Sequence, residues 1–273
     1  MISIVIGHKQ NSEERKDNLK FLINYYNNML IKEKIEFEIL IVEQDVSSKI
    51  DFPIKNGRVF FCYNNGEYNR AWSLNIGVVN SKYDSVLCLD NDIILPLDTF
   101  LNGLDQINKN KNIYVPYEYF LDMNKDVTSS FKQNLDFNYL KSELRKGITD
   151  RYNWVSSDNQ YKFGGCFFTN KNFYVSISGM DENCRGWGAE DEAFFFKYSK
   201  VLEHYKKDWK PRSKTHEIYH LYHDRINMAW VGQQEFYKKN VSIMEKIRNM
   251  SYDNLMLYIT EQKKDFGNIY KYR

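Results

Sequence analysis

Four short apolar runs, ISIVIG (2–7), FEILIVEQ (37–44), GRVFFCY (57–63) and SVLCLDND (85–92), occupy the first third of the chain, and residues 13–33 and 67–80 carry helix-like patterning between them. Runs this short and this rich in β-branched residues predict strands. Strands that alternate with helices predict an α/β fold: a doubly wound, mostly parallel sheet with helices on both faces. Sheets of this kind bind ligands beyond the carboxyl ends of their strands. His8, Glu43, Asp45 and the pair Asp90 and Asp92 all fall at such ends.

The pattern then changes. Residues 118–160 are polar and irregular and are expected to form an excursion over the sheet, not a second core. A strand resumes in KFGGCFFTN (162–170), and EDEAFFFKYSKVLEHY (190–205) predicts a helix whose first turn holds acids that the helix dipole favours. Residues 231–265 are amphipathic and charged, a helical extension packed on the domain. Its mixed charges fit a solvated face better than a membrane surface, although peripheral membrane contact is not incompatible with them.

Composition narrows the function classes. Lys plus Arg (38) nearly balances Asp plus Glu (36), so the whole chain has no electrostatic case for binding nucleic acid. Aromatic residues make up 16% of the chain, which suits stacking on sugars or bases, but AT-rich coding would raise Tyr and Phe equally. The start MISIVIGHKQ is too short an apolar stretch for a signal peptide, and no run approaches the about 18 apolar residues of a membrane span. A cytoplasmic chain without a transmembrane segment is expected. Cys62, Cys88, Cys166 and Cys184 lack zinc-type spacing and are expected to be reduced core thiols.

Three constellations could carry chemistry. In CLDNDIILP (88–96), Asp90 and Asp92 would point to one side of a strand and converge on a divalent cation, or on a metal and a ribose hydroxyl. A strand ending in Asp and Asn also often just begins a turn. IYHLYHDR (218–225) supplies His220 and His223, three apart on a helix or turn, and imidazole with carboxylate suits Mn²⁺ or Zn²⁺ better than Mg²⁺ or Ca²⁺. Stray surface histidines give the same spacing, but His216, His220 and His223 cluster in a chain with five histidines. In GWGAEDE (186–192), Gly186 and Gly188 let Trp187 swing over a bound sugar and exclude water. Glu190, Asp191 and Glu192 could then include a general base and a hydrogen-bond acceptor for a hydroxyl. Acids at a helix start explain the charges but not the Gly-Trp-Gly before them.

Taken in order, these motifs resemble the inverting, metal-dependent glycosyltransferases of GT-A fold, especially the C-terminal region of the β-1,4-galactosyltransferases and related bacterial family 2 enzymes. GGCFFTNKNFYVSISGMDENCRGWGAEDEAFF (164–195) is similar to that family's Gly-Gly strand, its turn at Gly179-Met180 and its Trp-Gly-x-Glu-Asp block. YNRAWSLNIG (68–77) resembles its FNRA…LNVG segment, CLDNDIILP sits where its Asp-x-Asp belongs, and HLYHDR matches its downstream metal-binding segment. The resemblance covers about residues 1–225.

It implies Mn²⁺, with Mg²⁺ as a substitute, held by Asp92 and His223, with His220 as a third ligand where the animal enzymes have methionine. It implies a UDP-sugar donor bound by His8, Glu43, Asp45, Tyr68, Arg70, Asp90, Asn91 and Gly165. Gly7, His8 and Lys9 replace the family's Pro-Phe-Arg, which alters that nucleotide contact. Asp191 would be the catalytic base, Glu190 would bind the acceptor hydroxyl, and Trp187 and Gly188 would complete the acceptor site.

The expectation is therefore a GT-A domain over 1–230, with a nucleotide-binding half (1–96) and an acceptor-binding half (97–230), followed by a C-terminal helical extension (231–273). It would transfer a sugar, with galactose or N-acetylgalactosamine favoured, to an oligosaccharide or lipid-linked glycan at the inner membrane face, forming a β-linkage in surface polysaccharide. Two alternatives are a catalytically silent sugar-nucleotide-binding subunit and a retaining N-acetylgalactosaminyltransferase-like enzyme. The retaining enzymes typically carry Asn where Asp191 stands. A nucleotidyltransferase would need a Gly-rich basic loop after the first strand, and GHKQNSEERKD has no glycine beyond Gly7.

Overall fold

The computed structural model describes residues 1–109, 112–145, 164–186, 188–205, 213, 215–224 and 233–272. Its first half runs β1 (Ile2–His8), α1 (Glu13–Lys32), β2 (Phe37–Asp45), β3 (Gly57–Tyr63), α2 (Arg70–Val79) and β4 (Ser85–Asp90). Ser12 and Asn69 start the two helices: their side chains accept from the backbone N–H of Arg15 and Trp72. The expected helix over 67–80 thus begins three residues late, at the first position that Asn69 can cap.

The remainder comprises β5 (Ile93–Ile94), α3 (Leu97–Asn108), β6 (Ile113–Tyr114), β7 (Tyr119–Asp122), α4 (Lys125–Asn134), α5 (Phe137–Arg145), β8 (Cys166–Asn170), α6 (Lys171–Ser176), α7 (Glu190–His204), β9 (Glu217–His220), α8 (Gln233–Asn249) and α9 (Tyr252–Gln262). A six-stranded sheet has the order β3-β2-β1-β4-β8-β6. Its β1–β2, β2–β3 and β1–β4 pairs are parallel, and β8 is antiparallel to both β4 and β6. Every residue of β1 is buried, so both sheet faces are covered. Val5 faces α2, where a Cβ on Gly77 would come within 2.1 Å of it, and the alternating Ile4 and Ile6 face the other way. This is the mostly parallel, doubly wound sheet that the strand pattern predicts.

A second, three-stranded sheet, β5-β9-β7, was not legible in the sequence. It alters two expectations. β4 stops at Asp90, because Asn91 and Asp92 form a turn that passes the chain into β5. Asp90 and Asp92 therefore lie at the ends of different sheets, not side by side on one strand. The excursion at 118–160 is also more regular than its polarity suggests, at least through Arg145. β7 pairs with β9, and α4, capped by Asn124, buries Val127 and Phe131, the latter edge-on to Phe21 and Phe137. Residues 146–163 lie outside the described residues.

The C-terminal extension is two helices, not one, because the Ser251 side chain caps a new start at α9. The chain after α9 returns to α2. Trp72 Nε1 donates to Asn268 O at 2.8 Å, the Tyr272 ring meets Trp72 edge-on, and Lys271 pairs with Glu182 at 2.6 Å. The expected boundary at 230/231 falls outside the described residues. All four cysteines are buried free thiols, as their spacing predicts. Among the described residues, no helix is long and apolar enough to cross a membrane.

Candidate active site

The strand order reverses between β1 and β4, and their carboxyl ends, where Gly7 pairs with Asp90, open the crevice at which such sheets bind ligands. His8 is buried there, with Nδ1 2.8 Å from the Asn91 amide Nδ2. That amide donates, so the ring hydrogen sits on Nε2. Burial first, and then the Arg15 charge, lower the His8 pKa to about 4, so the ring is a neutral donor. Tyr68, also at this end, packs its hydroxyl where a Cβ on Gly7 would lie, which explains the glycine.

Arg70 opens α2 and is buried. Its Nε donates to Asp90 Oδ1 at 2.6 Å and its Nη1 to Asp191 Oδ1 at 2.6 Å. One guanidinium therefore joins the end of β4 to the first turn of α7. Burial pushes the Asp191 pKa up while the Arg70 charge opposes the rise. Burial, and then the Asp191 charge, push the pKa of its neighbour Glu190 up to about 8 against the opposing Arg70 charge. Gly164 approaches the same carboxylate, since a Cβ there would lie 3.5 Å from Asp191 Oδ2. Gly165 adopts φ +82 against Phe120 while its carbonyl accepts from Asp90 N–H, a conformation and clearance that suit glycine.

The second sheet builds a different cluster. β9 pairs with β5, placing His220 opposite Ile93, and Leu221 N–H donates to Asp92 O at 2.8 Å. Asp92, His220 and His223 consequently offer ligand atoms that lie within 4.8 Å of one another. His220 ends a strand and His223 follows it, an arrangement neither helical spacing nor a simple turn describes. Burial would raise the Asp92 pKa, but the charges of His220, Arg15 and His223 outweigh it and hold the carboxyl below its usual range. Burial would likewise lower that of His220, but Asp92 and Asp122 raise it to about 9. His223, by contrast, is lowered, chiefly by burial. One carboxylate and two imidazoles fit a divalent cation such as Mn²⁺ or Zn²⁺ better than Mg²⁺ or Ca²⁺. His216 is not among them: its Nδ1 lies 2.7 Å from Ser213 Oγ.

Other sequence candidates have local partners. Glu43 accepts from Ser48 Oγ and from the backbone N–H of Lys49 and Ile50, so its carboxylate holds the loop after β2. Asp45 pairs with Lys49 at 2.8 Å. Trp187 lies outside the described residues, but its neighbours are defined. Gly186 and Gly188 adopt φ +66 and +99. Gly186 N–H donates to Tyr68 O, and Asn240 of α8 donates to the carbonyls of Arg185 and Gly188.

Two residues escaped the sequence reading. Arg15, on α1, places Nη1 2.8 Å from Asn91 Oδ1 and 3.3 Å from Asp92 Oδ2, with Nη2 3.2 Å from His223 Nε2. Asp122 accepts from His220 Nδ1 at 2.7 Å. Arg15 sits in an ordinary amphipathic helix and Asp122 in a polar stretch, so neither carries a local signal. Several buried polar atoms around the crevice have no hydrogen-bond partner among the described residues: His8 Nε2, Arg70 Nη2 and Glu190 Oε2. Buried polar groups are rarely left so, and together these leave two N–H donors and one carboxyl oxygen to meet a polar ligand.

Comparison with known proteins bears on the family and the fold. The family model described as glycosyltransferase like family 2 matches residues 3–213. Among solved structures, the catalytic domain of Drosophila β1,4-galactosyltransferase 7 in complex with xylobiose aligns with a TM-score of 0.50 at 16% identity, covering 92% of this chain and 81% of that one. S. aureus TarS, residues 1–349, aligns with a TM-score of 0.54 at 11% identity, covering 97% and 71% respectively. No curated protein matches the chain.

Proposed function

The chain belongs to glycosyltransferase-like family 2, and from that premise we propose that it is a metal-dependent, inverting enzyme that transfers a sugar from a UDP-sugar to a hydroxyl of a glycan acceptor. The observation that carries this reading is the Arg70 bridge: Asp90 stands on one side of the guanidinium and Asp191 on the other, both at 2.6 Å. A residue that binds the donor and a residue that activates the acceptor must flank one reacting carbon, and here a single buried cation links them.

In this mechanism His8, Asn91 and Asp90 bind the nucleotide end of the donor at the sheet edge, with Tyr68 shaping the crevice floor. Arg70 Nη2 faces the negative charge that grows as the diphosphate leaves. Asp92, His220 and His223 would hold Mn²⁺, which when bound supplies further charge neutralisation for that leaving group. Asp191 takes the proton of the acceptor hydroxyl as its oxygen bonds to the anomeric carbon and the carbon–phosphate oxygen bond breaks on the opposite face. Direct displacement of this kind turns an α-linked donor into a β-linked product. Glu190 receives a hydrogen bond from the acceptor sugar, and Trp187, between two glycines, is assigned to the acceptor site.

Residues 1–96 then form the nucleotide-binding half, 97–230 the acceptor-binding half, and 231–273 an extension that braces them. Galactose or N-acetylgalactosamine is the favoured sugar, and a surface glycan, built at the inner face of the membrane, the favoured product. Calorimetric titration of UDP and a panel of UDP-sugars, with Mn²⁺ and again with a chelator, tests the reading. Metal-dependent UDP binding supports it, with the tightest sugar naming the donor; no UDP binding under either condition rejects it.

A further inference from the structure

Asp122 belongs to none of the sequence motifs, yet the second sheet places it directly beside one of the candidate metal ligands. β7 and β9 run parallel, with Asp122 opposite His220, and β5 borders His220 from the other edge at Ile93. Met123 N–H donates to His220 O at 3.0 Å, and the Phe120 ring lies 5.7 Å from the imidazole. Both the backbone and the ring plane of His220 are therefore held by the strand that carries Asp122.

The two ring nitrogens face two carboxylates at unequal distances. Nδ1 lies 2.7 Å from Asp122 Oδ1, and Nε2 lies 3.5 Å from Asp92 Oδ1. The contact to Asp122 is the shorter and the stronger of the two. A hydrogen kept on Nδ1 by Asp122 leaves Nε2 directed at Asp92 and His223, whose Nε2 is itself 3.4 Å from Asp92 Oδ2. An imidazole without such a partner could turn its ring and offer either nitrogen. A carboxylate behind the ring removes that freedom and makes the outward nitrogen a better electron donor.

We propose that Asp122 is a positioning residue that fixes His220 as the third protein ligand of the metal site, and that this is what the polar excursion after β6 contributes to the enzyme. The inference rests on the reading of Asp92 and His223 as metal ligands. Its functional consequence is selectivity: a second, correctly presented imidazole shifts the donor set towards cations that accept nitrogen, away from Mg²⁺ and Ca²⁺.

The test is the Mn²⁺ affinity of the full chain with saturating UDP, read from the electron paramagnetic resonance signal of free Mn²⁺. Wild type, Asp122→Ala, Asp122→Asn, His220→Ala and the Asp122→Ala/His220→Ala double variant are compared, with circular dichroism confirming that each is folded. Asp122→Ala is expected to weaken Mn²⁺ binding about 10- to 100-fold, and Asp122→Asn, which keeps an acceptor oxygen, less. In the His220→Ala background the same change is expected to cost nothing further, because its effect passes through the imidazole. An Asp122→Ala affinity within about twofold of wild type, or an equal loss in both backgrounds, overturns the proposal. Wild type that binds Mn²⁺ while Asp122 is silent leaves the metal reading standing; wild type that binds none removes that reading and this inference together.

Discussion

Arg70 Nη1 lies 2.6 Å from Asp191 Oδ1, so the carboxylate proposed as the base is already hydrogen-bonded to a buried cation. The pair sets a compromise. Burial raises the proton affinity of Asp191, and the Arg70 charge opposes that rise.

Removing that cation should move the balance in a known direction. Arg70→Met is expected to shift the acidic limb of the kcat/KM–pH profile to higher pH, because Asp191 then holds its proton more tightly. Arg70→Lys should shift it less. An unmoved limb in Arg70→Met would show that Asp191 is not the group titrating there.

Asp191→Asn keeps the shape of the side chain but cannot take a proton. UDP binding by calorimetry is expected to stay near the wild-type value, while transfer falls by about 10²- to 10⁴-fold. Full turnover in this variant would remove Asp191 from the base role.

His223→Ala deletes one of the two imidazoles facing Asp92. Mn²⁺-dependent UDP binding is expected to weaken by at least about tenfold, with binding in chelator unaffected. Equal affinities for wild type and variant in Mn²⁺ would place His223 outside the metal shell.

Glu190 predicts an unusual pH dependence of stability. Its pKa rises from 4.5 to about 8 in the folded chain, so between those values the native state holds a proton that the unfolded state has lost. Stability then falls as pH rises through that window. Glu190→Gln is expected to flatten the fall and to be the more stable protein at pH 8, as measured by urea denaturation across the range. Parallel curves for the two proteins would contradict the assignment.

The parallel half of the fold was readable because β1, β2 and β4 are largely buried apolar runs and its helices are set by the local caps Ser12 and Asn69. The ligand edge followed from topology, and the Asp92, His220 and His223 cluster from residue type. What could not be read was pairing at a distance. β5 has two residues, and β7 and β9 four each, too short for a periodic signal, so the second sheet and with it Asp122 stayed hidden. Arg15 lies 77 residues from Asp92, and its role exists only because α1 crosses above the turn at Asn91. Glu43 has a partner the sequence did not announce: its carboxylate accepts from the loop that follows its strand.

The turn at Asn91 and Asp92 has one more consequence. Asp90 belongs to the six-stranded sheet and Asp92 leads into the three-stranded one, so anything gripping both would stitch a seam between two independently hydrogen-bonded layers. Occupancy should then be felt as mechanical cohesion as well as affinity. Amide protons of the very short strands β5 and β9 would exchange slowly with solvent when the seam is closed and quickly when it is not, while those of β1 and β2, anchored inside the larger layer, would barely register the difference.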